Sequence, residues 1–104
     1  MAHVIDRLFG TIAARRSADP SNSYTAKLLS EGVERCAKKF GEEAVETALA
    51  AMTGNKTAIA AESADVLYHL LVLWAACGIE PTTVYAALEA REGRSGLEEK
   101  ASRR

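Results

Sequence analysis

Residues 33–78 carry the strongest structural signal of the chain, in the sequence VERCAKKFGEEAVETALAAMTGNKTAIAAESADVLYHLLVLWAACG. Apolar residues recur there at three- and four-residue spacing, which predicts one helix over residues 33–52 and a second over residues 58–77. Residues 53–57 supply the turn between them, and Gly78 is a suitable stop for the second helix. Because two helices of about 20 residues joined by a short turn lie side by side, we expect an antiparallel hairpin.

Shorter helices flank this hairpin. Apolar spacing predicts a helix over residues 4–16, and Ser23 is a suitable cap for a short helix that Gly32 closes. The sequence has no strand-like alternation and no internal repeat. It therefore predicts an all-α fold, and 104 residues suit one domain.

The predicted domain covers residues 1–91 and ends with a fifth helix. Pro81 fits the first turn of that helix, with Val84 and Leu88 facing inward. Residues 92–104 are polar and contain glycine, so we expect a mobile tail.

The hairpin has more apolar surface than one chain can cover. The second helix is apolar almost all round over residues 66–77, and the first carries an additional apolar stripe formed by Val45, Leu49 and Met52. Two hairpins from two chains can bury both surfaces as the core of a four-helix bundle. The sequence therefore predicts a homodimer.

Composition narrows the range of partners. Lys and Arg total 13 against 14 for Asp and Glu, without the basic excess of a general nucleic-acid binder. Cys36 and Cys77 form no C-x-x-C pair, and we interpret both as reduced core residues. Residues 1–10 lack the apolar segment of a signal peptide, and the apolar run over residues 66–77 is too short to span a bilayer. We expect a cytoplasmic protein with neither a membrane nor a nucleic-acid partner.

Five acidic residues of the hairpin form the candidate site: Glu42, Glu43, Glu46, Glu62 and Asp65. Glu43 and Glu46 lie about 60° apart around their helix, as do Glu62 and Asp65 around theirs. In a hairpin that turns near residue 55, these four stand at nearly one height. Like charges brought so close raise each other's pKa unless a cation compensates them. Mg²⁺ prefers such oxygen ligands and shares them with phosphates, which indicates phosphate-ester or phosphoanhydride chemistry.

The same residues also permit a plainer interpretation. An E-x-x-E spacing on a helix is usually a solvated face that pairs with neighbouring cations, here Lys38 or Lys39. Acidic residues near the start of a helix, such as Glu62 and Asp65, also interact favourably with its dipole.

Longer sequence motifs resemble a known family. The segments EEAVE at 42–46 and ESAD at 62–65 resemble the signature of the MazG-type all-α nucleotide pyrophosphohydrolases. Within that superfamily, the chain resembles the phosphoribosyl-ATP pyrophosphohydrolase family from about residue 8 to residue 91. The motifs that carry this likeness are SYT at 23–25, KKFGEEAVE at 38–46 and ESADVLYHLLV at 62–72. Ser63 stands where the family often has alanine, a small-for-small change.

The resemblance implies hydrolysis of the alpha-beta phosphoanhydride of phosphoribosyl-ATP in histidine biosynthesis, giving phosphoribosyl-AMP and pyrophosphate. By analogy, Glu43, Glu46, Glu62 and Asp65 hold Mg²⁺, with Mn²⁺ as an alternative metal, and the metal neutralises developing charge. Glu42 then orients or deprotonates the attacking water.

The resemblance also suggests substrate contacts. Because the metal alone cannot balance a triphosphate, basic residues are candidates for phosphate contacts, with surface solvation as the equal alternative. They are Lys27, Lys39 and Arg91. Tyr24 and the loop over residues 17–25 could close over the substrate. His69 is more often a satisfied core histidine than a ligand.

Two other functions stay open from the residues. The first is a house-cleaning pyrophosphatase of the same superfamily that acts on another nucleoside triphosphate and shares the metal site. The second is a non-catalytic helical dimerisation protein with a solvated acidic face.

Overall fold

Residues 3–92 are described by a computed structural model, and within that range the secondary structure is helical with no strand. The elements are α1 (Val4–Ala14), a 3-10 turn (Arg15–Ser17), α2 (Tyr24–Glu31), α3 (Val33–Thr53), α4 (Lys56–Cys77) and α5 (Pro81–Arg91). The all-α prediction is confirmed. Apart from Glu92, the predicted tail over residues 92–104 lies outside the described residues.

The α3–α4 hairpin has the most extensive packing between two elements. Gly54 ends α3 with φ 74°, in the left-handed region that glycine adopts at no steric cost. The Asn55 side chain accepts a hydrogen bond from Ala58 N at 3.1 Å and so caps α4. The cap starts α4 at Lys56, so the turn is two residues long, not five as predicted.

The hydrophobic core lies where α1 and α2 pack against the start of α3 and the second half of α4. Its buried members are Ile12, Leu28, Leu29, Cys36, Leu71, Val72 and Ala75. Arg16 donates a hydrogen bond to the Ala75 carbonyl, which joins the 3-10 turn after α1 to the last turns of α4. The core therefore holds the hairpin at the end far from its turn.

The two cysteines have different environments. Both are free thiols, and Cys36 is buried, as expected. Its thiol donates to the Leu28 carbonyl at 3.3 Å, and burial raises its pKa. Cys77 is exposed, because it is the last residue of α4 and no described element covers it. The prediction that both cysteines are core residues was wrong for Cys77.

Helix α5 contacts the rest of the chain mainly at its start. Pro81 is buried, and the Tyr85 hydroxyl donates to Asp6 Oδ1 of α1 at 2.8 Å. Val84 is half-buried, but Leu88 is 53% exposed. The prediction that Leu88 faces inward was wrong within one chain, because no described element packs over the second half of α5.

Large apolar side chains are exposed along the hairpin. Val45 is 60% exposed, Leu49 61% and Met52 84% on α3, and Leu67 is 45% exposed on α4. By length and composition α4 could cross a membrane, contrary to the expectation from its shorter apolar run. A core helix of a soluble protein passes the same test, and α4 supplies Leu71 and Val72 to the core.

Candidate active site

Three carboxylates from the two hairpin helices converge a few turns from Gly54. One oxygen from each of Glu43, Glu62 and Asp65 lies within 4.8 Å of the others. Glu43 and Glu62 are half-buried, whereas Asp65 is exposed. Such a spacing of oxygen donors on one side is suited to a small hard cation.

Glu46 extends this cluster along α3. Its carboxyl group hydrogen-bonds that of Glu43, and this bond is the largest cause of a raised Glu43 pKa. Desolvation and the negative charges of Glu46 and Asp65 raise the pKa further, while His69 lowers it. Glu43 is therefore crowded by like charges, and a cation bound among these carboxylates offsets the repulsion.

Thr47 joins the two helices beneath the cluster. Its hydroxyl oxygen lies 2.9 Å from the Glu43 carbonyl on α3 and 3.0 Å from the Glu62 carbonyl on α4. One hydroxyl hydrogen serves both acceptors, and both acceptors belong to residues of the carboxylate cluster. Thr47 thereby fixes the register of α3 against α4 at the level of the candidate site. No sequence-based prediction included Thr47, although its spacing of four from Glu43 places it on the same face of α3.

An open groove of about 530 Å³ adjoins the cluster. Its lining residues are Lys39, Glu42, Glu43, Val45 and Glu46. Lys39 Nζ lies 3.5 Å from Glu42 Oε1, which is the pairing that the plainer interpretation expected. Tyr24, followed by Glu42 and Glu43, raises the Lys39 pKa, so the lysine is a cation beside the carboxylates. The groove thus combines acidic metal-type ligands with one basic group.

Glu42 stands apart from the metal-type cluster. It pairs with Lys39 and is not among the three residues whose oxygens converge. This position agrees with the different role that the sequence analysis gave it, although its contribution to chemistry stays a prediction.

Tyr24 on α2 and His69 on α4 lie against each other. The Tyr24 hydroxyl is 3.4 Å from His69 Nε2, and His69 Nδ1 is 3.0 Å from the Asp65 carbonyl. His69 is buried with both ring nitrogens hydrogen-bonded, as expected for a satisfied core histidine.

Lys27 and Arg91 are not drawn into the cluster. Both are exposed, Lys27 on α2 and Arg91 at the last residue of α5. Within residues 3–92, neither forms an ion pair with the carboxylates. Their proposed phosphate contacts stay predictions.

Fold and site together define a class of protein: an all-α protein whose antiparallel hairpin gathers carboxylates from both helices beside a groove. The family model for phosphoribosyl-ATP pyrophosphohydrolase matches residues 5–92, and the chain belongs to this family. The resemblance drawn from the sequence motifs is therefore confirmed.

The sequences of similar proteins align with this chain over nearly their whole length. A phosphoribosyl-ATP pyrophosphatase of Parvibaculum lavamentivorans is 61% identical, over 98% of this chain and 94% of the relative. The protein of that name from Azospirillum brasilense is 55% identical, over 99% of this chain and 93% of the relative. One from Dinoroseobacter shibae is 57% identical, over 96% of this chain and 98% of the relative.

Replacing Thr47 tests the interhelical hydroxyl. Thr47→Val keeps the shape of the side chain and removes the donor, so we expect the free energy of unfolding to fall by about 1 kcal/mol. Urea unfolding followed by circular dichroism, at matched protein concentration, measures the change. The control is Thr57→Val at an exposed position of α4, with an expected change below about 0.5 kcal/mol. Equal effects of the two substitutions would contradict the role of Thr47.

Proposed function

We propose that this chain hydrolyses the alpha-beta phosphoanhydride of phosphoribosyl-ATP, releasing phosphoribosyl-AMP and pyrophosphate in histidine biosynthesis. Membership of the family and the name shared by its relatives support this reaction. The observation that carries it is the convergence of Glu43, Glu62 and Asp65 within 4.8 Å beside an open groove. A phosphoanhydride needs its negative charge neutralised before water can attack, and this site has the groups to hold a neutralising cation.

We propose Mg²⁺ as that cation, with Mn²⁺ as an alternative. The fit rests on the donor set: four carboxylates offer only hard oxygen ligands, from Glu43, Glu46, Glu62 and Asp65. The raised Glu43 pKa supports it, because the carboxyl groups that raise it, Glu46 foremost, also favour a bound cation. A bound Mg²⁺ would supply Lewis-acid stabilisation of the phosphate oxygens.

The remaining groove residues divide the other tasks. Lys39 donates N–H groups to a phosphate oxygen, and its ion pair with Glu42 then loosens. Glu42 Oε1, released from that pair, orients a water molecule and accepts its proton. Lys27, Arg91 and Tyr24 are further proposed substrate contacts.

The choice of substrate is tested by a coupled pyrophosphate assay. We expect pyrophosphate release from phosphoribosyl-ATP in the presence of Mg²⁺, and a loss of at least about a hundredfold when the metal is removed with a chelator. ATP and dUTP are the comparison substrates. Faster turnover of either would favour the house-cleaning alternative, and no release from any nucleotide would favour the non-catalytic dimerisation protein.

Neutral replacements test the ligand set. Glu46→Gln and Asp65→Asn keep the size of each side chain and remove its charge, so we expect turnover to fall at least about a hundredfold while the helical content stays. The matched control is Glu34→Gln, in the first turn of α3 and outside the groove, which should keep its activity. Activity like that of the unsubstituted protein in either site variant would rule out the proposed ligands.

We also propose that the chain forms a homodimer through the hairpin. Val45, Leu49 and Met52 expose 60–84% of their surface on one helix, and such a row of apolar groups on a soluble protein marks an interaction surface. A second copy of the hairpin would cover it and complete a four-helix bundle. This arrangement gives the apolar surface of α4 a protein partner in place of a membrane.

A cytoplasmic location is part of the proposal. Cys36 and Cys77 are both free thiols, and cysteines remain unpaired in a reducing compartment. The proposed substrate is a nucleotide, and the apolar face of the hairpin is assigned to the dimer.

Self-association is tested with a charge on the exposed row. Light scattering should give twice the mass of one chain, and Leu49→Glu should weaken the dimer by at least about tenfold in Kd, because the carboxylate is buried in the interface without a partner. Ser30→Glu adds the same charge to an exposed position of α2 and should leave the dimer intact. A monomer at micromolar concentration without any substitution would refute the homodimer.

A further inference from the structure

Two consecutive residues of α4 form side-chain hydrogen bonds with two consecutive residues of α2. Tyr68 hydrogen-bonds Thr25 through their hydroxyl groups, and His69 lies 3.4 Å from the Tyr24 hydroxyl. Both contacts are partly buried, and they join residues more than 40 positions apart. The first turn of α2 is therefore attached to α4 one turn beyond Asp65, the last carboxylate of the cluster.

The neighbours of His69 fix which nitrogen carries the proton. Nδ1 faces the Asp65 carbonyl at 3.0 Å, and because a carbonyl oxygen only accepts, Nδ1 carries the hydrogen. In the tautomer with this hydrogen on Nδ1, Nε2 is the acceptor of the ring, and the Tyr24 hydroxyl donates to it. The Tyr24–His69 bond is long in this structure, and such bonds often tighten when substrate binds.

Aromatic rings keep His69 in this orientation. The ring of Tyr68 lies edge-on at 4.9 Å between centroids and that of Tyr24 at 6.1 Å. His69 is 7% exposed, so it cannot touch a substrate in the groove. It can act only through a neighbour.

Tyr24 is the neighbour of His69 that is open to solvent. Its side chain is 52% exposed, although its hydroxyl is tied to a buried ring. That ring is bonded in turn to the carbonyl of Asp65, a residue of the carboxylate cluster. Tyr24 is thus an exposed side chain held one contact away from the cluster.

We propose that His69 is a positioning residue: by accepting the Tyr24 hydroxyl while bonded to the Asp65 carbonyl, it fixes Tyr24 as a substrate contact in register with the carboxylate cluster. The inference rests on the proposed function and deepens it. A contact held in place before binding reduces the conformational entropy that binding costs. It contacts substrate and transition state alike, so its loss raises KM and leaves kcat nearly unchanged.

The test compares substitutions that break the bond from each side. Tyr24→Phe removes the donor, and His69→Asn keeps an N–H near the Nδ1 position but cannot reach Tyr24. We expect each to raise KM for phosphoribosyl-ATP about fivefold with kcat within about twofold, since one neutral hydrogen bond is lost. The double variant should also show about a fivefold rise, because both substitutions remove the same bond.

Two further variants complete the experiment. His69→Gln carries an amide oxygen near the Nε2 position and should restore KM at least in part. Tyr85→Phe removes a tyrosine hydroxyl bond to Asp6 on α1, away from the groove, and should leave KM unchanged. Circular dichroism melts confirm folding, and if His69→Asn does not fold, an unchanged KM in Tyr24→Phe still overturns the positioning role.

The outcomes separate the inference from the function on which it rests. If the unsubstituted protein turns over substrate, two results would overturn the positioning role alone. One is an unchanged KM in Tyr24→Phe, and the other is a rise in KM of about 25-fold in the double variant, the product of two separate effects. Absence of pyrophosphate release by the unsubstituted protein would overturn the proposed function and this inference with it.

Discussion

The register of α3 against α4 is the constraint on which both the fold and the candidate site depend. A slip of one residue moves a helix by about 1.5 Å along its axis and turns its side chains by about 100°, which would separate Glu43 from Asp65. Gly54 and Asn55 set the register at the turn, and Thr47 repeats it at the height of the carboxylates. A turn of only two residues leaves little freedom to slip. The convergence of charge therefore follows from the turn and from the Thr47 hydroxyl, which together hold the two helices in register.

Local signals in the sequence predicted most of the fold. Helix lengths followed from apolar spacing, and the ends at Ser23, Gly32 and Gly78 followed from capping chemistry, because these features involve neighbours within a few residues. Cys77 and Leu88 were assigned to the core because apolar periodicity gives a face but not the element that covers it. Coverage depends on tertiary packing, and within one chain nothing described covers them.

The same limit applies to the site. The spacing predicted that Glu43, Glu46, Glu62 and Asp65 converge, because a helical hairpin leaves only one height and one side to match. In the structure the oxygens of Glu43, Glu62 and Asp65 do so, and Glu46 is not in that group. The contact of Thr47 with the Glu62 carbonyl and that of His69 with the Tyr24 hydroxyl could not be predicted, because each joins two helices and no sequence pattern marks its partner. Sequence thus locates charges well, while the groups that fix their relative positions appear only in three dimensions.

The contacts between α2 and α4 give a physical reason why two separated motifs occur together. Tyr24 and Thr25 belong to one sequence motif, and Tyr68 and His69 belong to another. In the fold, Tyr24 hydrogen-bonds His69 and Thr25 hydrogen-bonds Tyr68. A change in one motif would leave a partly buried polar group of the other without its partner, which costs free energy. Bare carboxylates suit many phosphate-cleaving sites, whereas this pair of motifs also sets where α2 lies beside them. We therefore expect the residues that distinguish one family of this class from another to lie in these contacts between α2 and α4, and less in the acidic cluster.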